Sequence, residues 1–110
     1  MAFIWGKVDS TGISANIPTT IIVSASGAGP GTTMYTLIGE LECTSAGAGT
    51  ITLSHMWTDA VGSATATLGT LAMSATGRVS LDASMHTNTI YYLTSGYSSG
   101  RYALRLRAFT

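Results

Sequence analysis

Two pairs of like charges stand two residues apart in this chain. Glu40 and Glu42 fall in "MYTLIGELECT", and Arg105 and Arg107 fall in "RYALRLRAF". In an extended strand such residues share a face about 7 Å apart, from a rise of roughly 3.3 Å per residue. Two carboxylates at that separation match a glycosidase acid–base pair. That chemistry also needs a cleft with aromatic side chains to stack the sugar, and the pattern around Glu40 and Glu42 supplies none. Two acids on one strand and two bases on another, at the same spacing, read instead as a cross-strand ion-pair ladder.

The remaining reactive groups point the same way. His55 and His86 are the only imidazoles, and no H-x-H, H-E-x-x-H or paired cysteine accompanies them, so a metal centre lacks its ligands. No cofactor is expected. His55 shares an apolar strand face with Trp57 and reads as a packed, hydrogen-bonded histidine. His86, in "MHTN", reads as a solvated loop residue. Serines are plentiful, but no G-x-S-x-G elbow sets one apart as a nucleophile. "GAGPG" has the glycines of a phosphate cradle without the lysine or helix that completes one. Cys43 is the only cysteine and falls on an apolar face, where an inert buried thiol is the expectation. The residues therefore speak against an enzyme.

Composition narrows the partners. Charged residues make up 9% of the 110, five basic and five acidic, against about 25% in an average soluble domain. No basic patch is present to neutralise phosphates, which argues against a nucleic-acid partner. So little charge protects poorly against self-association, and an oligomer would cover such a surface. The start, "MAFIWGKVDS", has no basic region followed by a long apolar run, so no secretory signal is expected. No stretch approaches 18 apolar residues, so no membrane span is expected.

What positions these groups is a period of two. Alternation marks strands at Phe3–Val8, Thr19–Ser24, Met34–Thr44, Thr50–Thr58, Ala64–Leu71, Gly77–Met85, Thr89–Thr94 and Arg101–Phe109. Between them lie turn sequences such as "SGAGPGT", "SAGAG", "DAVGS" and "GYSSG". Eight short strands at this spacing predict an all-β sandwich in one domain over residues 1–110. Eight favour a jelly roll over the seven-stranded immunoglobulin plan, with residues 1–9 as its first strand or as a docking segment.

The stretch "TSAGAGTITLSHMWTDAVGSATATLGTLAMSATG", with "TIYYLTSGYSSGRYALRLR" after it, resembles a family of short jelly-roll domains in virion proteins of tailed bacteriophages and prophages. Their pattern is a strand begun by tyrosine, a TSAG-x-GT turn, a strand ending in WTD, a Thr/Ala strand, an aromatic strand and a closing G-x-Y-x-L strand. Here these are Tyr35, Thr44–Thr50, Trp57–Asp59, Ala64–Leu71, Ile90–Leu93 and Gly100–Leu104. "SANIPTTIIV" resembles the family's opening strand, so the likeness runs from about Ser14 to Arg107. "MAFIWGKVDS" departs from it, and the chain lacks the long fibrous segment of a tail-fibre subunit.

The resemblance implies a virion component, usually a homotrimer, found as capsid decoration proteins and as heads of tail fibres. It carries no catalytic residues. The leading expectation is a decoration (cement) protein, assembled in the bacterial cytoplasm and bound to the major capsid protein on the outer capsid. The rival is a receptor-binding tail-fibre head that recognises a host-surface glycan or protein. By analogy with jelly rolls of the tumour-necrosis-factor type, the third and last strands lie side by side in the sheet facing the threefold axis. That places Ile38, Glu40, Glu42, Arg105, Arg107 and Phe109 at the subunit contact. Phe3, Ile4 and Trp5 are three adjacent large apolar residues that alternation cannot hide on one face, and they are the expected capsid-docking residues. Sedimentation at micromolar concentration is expected to give about three times the chain mass of 11.3 kDa, and a persistent monomer would contradict the trimer.

Overall fold

Alternating apolar and small polar residues leave no helical stripe, and the chain folds into strands. The computed structural model describes residues 3–24, 33–58, 62–87 and 89–110, with only the backbone of residues 5, 7–10, 23, 24 and 33. The strands are β1 (Phe3–Ile13), β2 (Thr20–Ser24), β3 (Thr33–Ser45), β4 (Gly49–Thr58), β5 (Ser63–Ala72), β6 (Gly77–Thr87), β7 (Thr89–Tyr97) and β8 (Arg101–Phe109). All eight expected strands are present, several of them longer than the alternation alone marked. The "SGAGPGT" loop lies outside the described residues, as does most of "DAVGS".

Two antiparallel four-stranded sheets pack as a sandwich, one in the order β1-β8-β3-β6 and the other β2-β7-β4-β5. The pairing of β3 with β8 runs in continuous register from Thr36↔Phe109 to Cys43↔Tyr102. On the inner side this places Leu37, Leu41 and Cys43 beside Leu104, Leu106 and Ala108, all fully or almost fully buried. Ile51 and Leu53 from β4, Ile90 and Tyr92 from β7 and Leu81 from β6 close the core from both sheets. Each such Leu or Ile contributes about 1.5–3 kcal/mol through burial. The central place of β7, between β2 and β4, explains why "TIYYLT" is apolar on both faces.

Polar groups inside the sandwich are paired in a directed chain. The Ile17 amide donates to Thr94 Oγ1 at 2.6 Å, and Tyr102 Oη donates to the Ala15 carbonyl at 2.8 Å. The Thr94 hydroxyl and Tyr102 Oη are 3.0 Å apart. With the tyrosine proton already committed, threonine is the donor between them. The chain ties β7 of one sheet to β8 of the other and fastens the β1–β2 connection beneath them. Burial pushes the Tyr102 phenol above its ordinary pKa, so it stays a neutral donor.

One placement differs from the sequence reading. His86 is exposed as expected, but it belongs to β6 opposite Met34, not to a loop. The ladder with β3 carries β6 on to Thr87, whose buried hydroxyl donates to the Thr58 carbonyl at 2.6 Å. Trp57 packs against the core but is only half-buried, because its strand runs out at the sandwich end.

Gly39 sits mid-strand opposite Leu106. A Cβ there would run into the backbone carbonyl of Arg105 on the neighbouring strand. Gly39→Ala is therefore expected to destabilise the chain by about 1–3 kcal/mol, the cost of overpacking. Urea unfolding of the purified variant checks this, and wild-type stability would show that β8 moves aside freely.

Candidate functional site

Sheet order sorts the charges. β2, β4, β5 and β7 contain no Asp, Glu, Lys or Arg. Every charged residue within a strand belongs to β1, β3, β6 or β8. One sheet therefore presents a charged outer face, and the other presents hydroxyl, thioether and aromatic groups.

On the charged sheet, Glu40 stands opposite Arg105 and Glu42 opposite Ala103. Arg105 Nη1 reaches both acids, Glu40 Oε1 at 2.9 Å and Glu42 Oε1 at 3.0 Å. From the other side, Arg78 of β6 approaches Glu42 Oε2 through Nε at 3.3 Å and Glu40 Oε2 through Nη1 at 3.9 Å. The acids thus lie between two arginines. The Arg105 hydrogen bond holds the Glu42 carboxyl below the usual carboxylate range, with the Arg78 charge helping and partial desolvation opposing. In return, the hydrogen bond to Glu42 raises the Arg105 pKa. Both groups are charged at neutral pH, and the attraction is lost as acid titrates Glu42 through its lowered pKa.

The ladder differs in membership from the one expected. Arg107 lies opposite Ile38, one step beyond the acids, and makes no ion pair with a described residue. Arg78, which alternation placed on a separate strand, takes a place in it. Its outward position was legible, but only the β3–β6 pairing brings it to Glu42.

Exposed apolar side chains continue along the same sheet from this cluster. Phe3 (58% exposed), Met34 (46%) and Ile38 (41%) are large apolar residues open to solvent. The Phe3 ring meets Phe109 edge-on, with centroids 5.9 Å apart, where β1 pairs with β8. Ile38 and Phe109 share the outer face with Glu40, Glu42, Arg105 and Arg107. Ile4 is exposed too, and the Trp5 side chain lies outside the described residues.

Elsewhere, reactive side chains are packed rather than poised. Cys43 is buried, its Sγ 4.0 Å from the Met73 carbonyl. His55 is buried and stacks on Trp57 at 5.0 Å and 17°. Its Nδ1 has no hydrogen-bond partner among the described residues, which departs from the hydrogen-bonded histidine expected. Burial lowers the His55 pKa, so the ring is held neutral. Among the described residues, no three His, Cys, Asp or Glu side chains gather into a metal cage.

Compared with protein-family models, with curated proteins and with solved structures, the chain has no significant match.

Two measurements follow from these contacts. Arg105→Ala is expected to destabilise more than Arg78→Ala, because Arg105 makes the shorter bonds and is the less exposed of the two. A double-mutant cycle of Arg105→Ala with Glu42→Ala should return a favourable coupling between them; additive effects would mean a solvated, uncoupled face. His55 has the same linkage sign as Glu42, since the fold favours the deprotonated form of each. Its folded pKa lies below its unfolded value of 6.5, so the unfolded chain takes up the proton first. Stability should fall as pH drops from about 7 through that value and level off once the folded state also protonates. His55→Phe should flatten that part of the pH–stability curve, and an unchanged slope would assign the titration elsewhere.

Proposed function

We propose that the chain is a structural virion protein of a tailed bacteriophage, a capsid decoration protein that binds the major capsid protein on the outer capsid surface as a homotrimer. The observation that carries this reading is the outer face of the β1-β8-β3-β6 sheet, where an ion-pair cluster has exposed Ile38 next to it on β3 and exposed Phe3 and Met34 farther along the same sheet. Apolar residues beside charges that already have partners suit a protein contact: the apolar groups gain from burial, and the charges set orientation with little net energy.

The fold in this proposal is a jelly roll of the tumour-necrosis-factor type. Strand pairings of first with last, second with seventh, third with sixth and fourth with fifth agree with a double Greek key. The motif resemblance from Ser14 to Arg107 supports the same reading. In a cyclic trimer, Ile38, Glu40, Glu42, Arg105, Arg107 and Phe109 would lie at the subunit contact, while Phe3 and Ile4 on the edge strand β1 would reach the capsid together with Trp5.

Electron microscopy of undecorated particles with the protein added back tests the proposal. Regular density on the head supports it, and density confined to the tail overturns it in favour of a receptor-binding head. Removing residues 1–9 is not a clean probe of docking, because most of β1 pairs with β8. Phe3→Ser combined with Ile4→Ser, both at exposed positions, is expected to leave the melting temperature within a few degrees of wild type while weakening particle binding. Wild-type binding by that variant would remove β1 from the docking surface.

A further inference from the structure

Among the described strands, β1 and β6 form the edges of one sheet, and β2 and β5 those of the other. An edge strand offers unpaired N–H and C=O groups to any extended backbone, and charges, proline, bulges or short length usually keep such partners off. β6 carries Arg78, Asp82 and His86. β1 contains Lys7 and Asp9, and its ladder with β8 shifts register three times. β2 is five residues long and stands close behind Pro18. β5 has ten residues with no charge and no proline. Its stretch Ser63–Thr67 pairs with Thr58–Ser54 without a shift, and Leu68 is the extra residue where the register changes. The core is also unfinished along this edge. Ala64 stands opposite Trp57 on the core-facing side, yet Ala64 is exposed, and Trp57 and Leu68 are only partly buried. An open pocket of about 240 Å³, lined by Trp57, Ala64 and Thr65 among others, lies at the same end.

We infer that β5 pairs antiparallel with β5 of a second copy about a twofold axis, joining two uncharged sheets into one. An added strand must match inward residues with inward ones and outward with outward. Two identical strands do so when Ala66 lies on the axis. On the outer side Thr65 of each copy then faces Thr67 of the other, and cross-strand threonine pairs are favourable. On the inner side Leu68 of each copy comes beside Ala64 of the other, which supplies apolar cover where Trp57 lacks it. No charged residue in any strand of this sheet opposes the approach, and the chain as a whole has zero formal net charge. A strand from an unrelated protein would need the same alternation and an apolar residue at the same place; every copy of this chain already carries both. The pairing uses an edge of the uncharged sheet and does not rest on the trimer contact proposed for the face of the other sheet.

Sedimentation equilibrium of the full chain at high micromolar concentration tests the pairing. The mass is expected to be an even multiple of 11.3 kDa: a pair of chains if β5 alone associates, a pair of trimers if the other sheet associates as well. Thr65→Lys with Thr67→Lys, both at exposed positions, sets lysine against lysine at two places across the axis. That variant is expected to weaken the twofold association roughly tenfold or more. Thr65→Lys with Thr67→Glu sets lysine against glutamate at the same two places and is expected to restore the association, more strongly at low salt. Circular dichroism spectra of both variants should match wild type, since both positions face away from the core. A wild-type chain that stays monomeric or stops at a trimer would overturn the pairing, and the trimer would leave the contact on the other sheet standing. Undiminished association of the double-lysine variant, or equal loss in both variants, would overturn it too.

Discussion

The pairing of β3 with β8 is the constraint on which the rest depends. Its register decides which side of each strand faces the core, because side chains alternate and a one-residue slip would exchange the faces. In the observed register Leu37 and Leu41 meet Ala108 and Leu104 inside, while Glu40 meets Arg105 outside. A slipped pairing would place carboxylates and guanidinium groups in the core. Gly39 belongs to the same constraint, since its missing side chain lets the β8 backbone approach.

Neighbouring strands inherit this arrangement. β6 pairs with the free side of β3 and brings Arg78 to the acids, and β1 pairs with the free side of β8 and brings Phe3 to Phe109. The opposite sheet is fixed by the buried hydroxyl chain from Ile17 through Thr94 and Tyr102 to Ala15. Such a chain tolerates few displacements, because each atom moved would strand a polar group in an apolar interior. The result is a sandwich with two unlike outer faces, one with paired charges and exposed apolar residues, the other without charged residues in its strands.

Much of this was legible in the chain. Alternation located all eight strands, and it assigned Leu37, Leu41, Cys43, Ile51 and Leu53 to inner faces correctly. It fell short where neighbours decide. Trp57 has the parity of a core residue, but only its place at a strand end leaves it half-exposed. His86 follows the last residue that alternation marks as strand, yet the ladder with Met34 keeps it in β6. Arg107 has the same spacing and parity as Arg105, and no rule of alternation could tell which of them would meet an acid.

By itself, the sequence determined an all-β chain, the faces of its strands and the low charge of its surface. These depend on residue type and on the two-residue period, which are local. The tertiary structure alone decided which strands share a sheet. Along the chain, charged and uncharged strands alternate irregularly: β1, β3, β6 and β8 carry charge, and the other four do not. Crossing connections gather the first set into one sheet and the second into the other. The ion-pair cluster exists for that reason, because β3, β6 and β8 are distant in sequence and become neighbours only through backbone pairing.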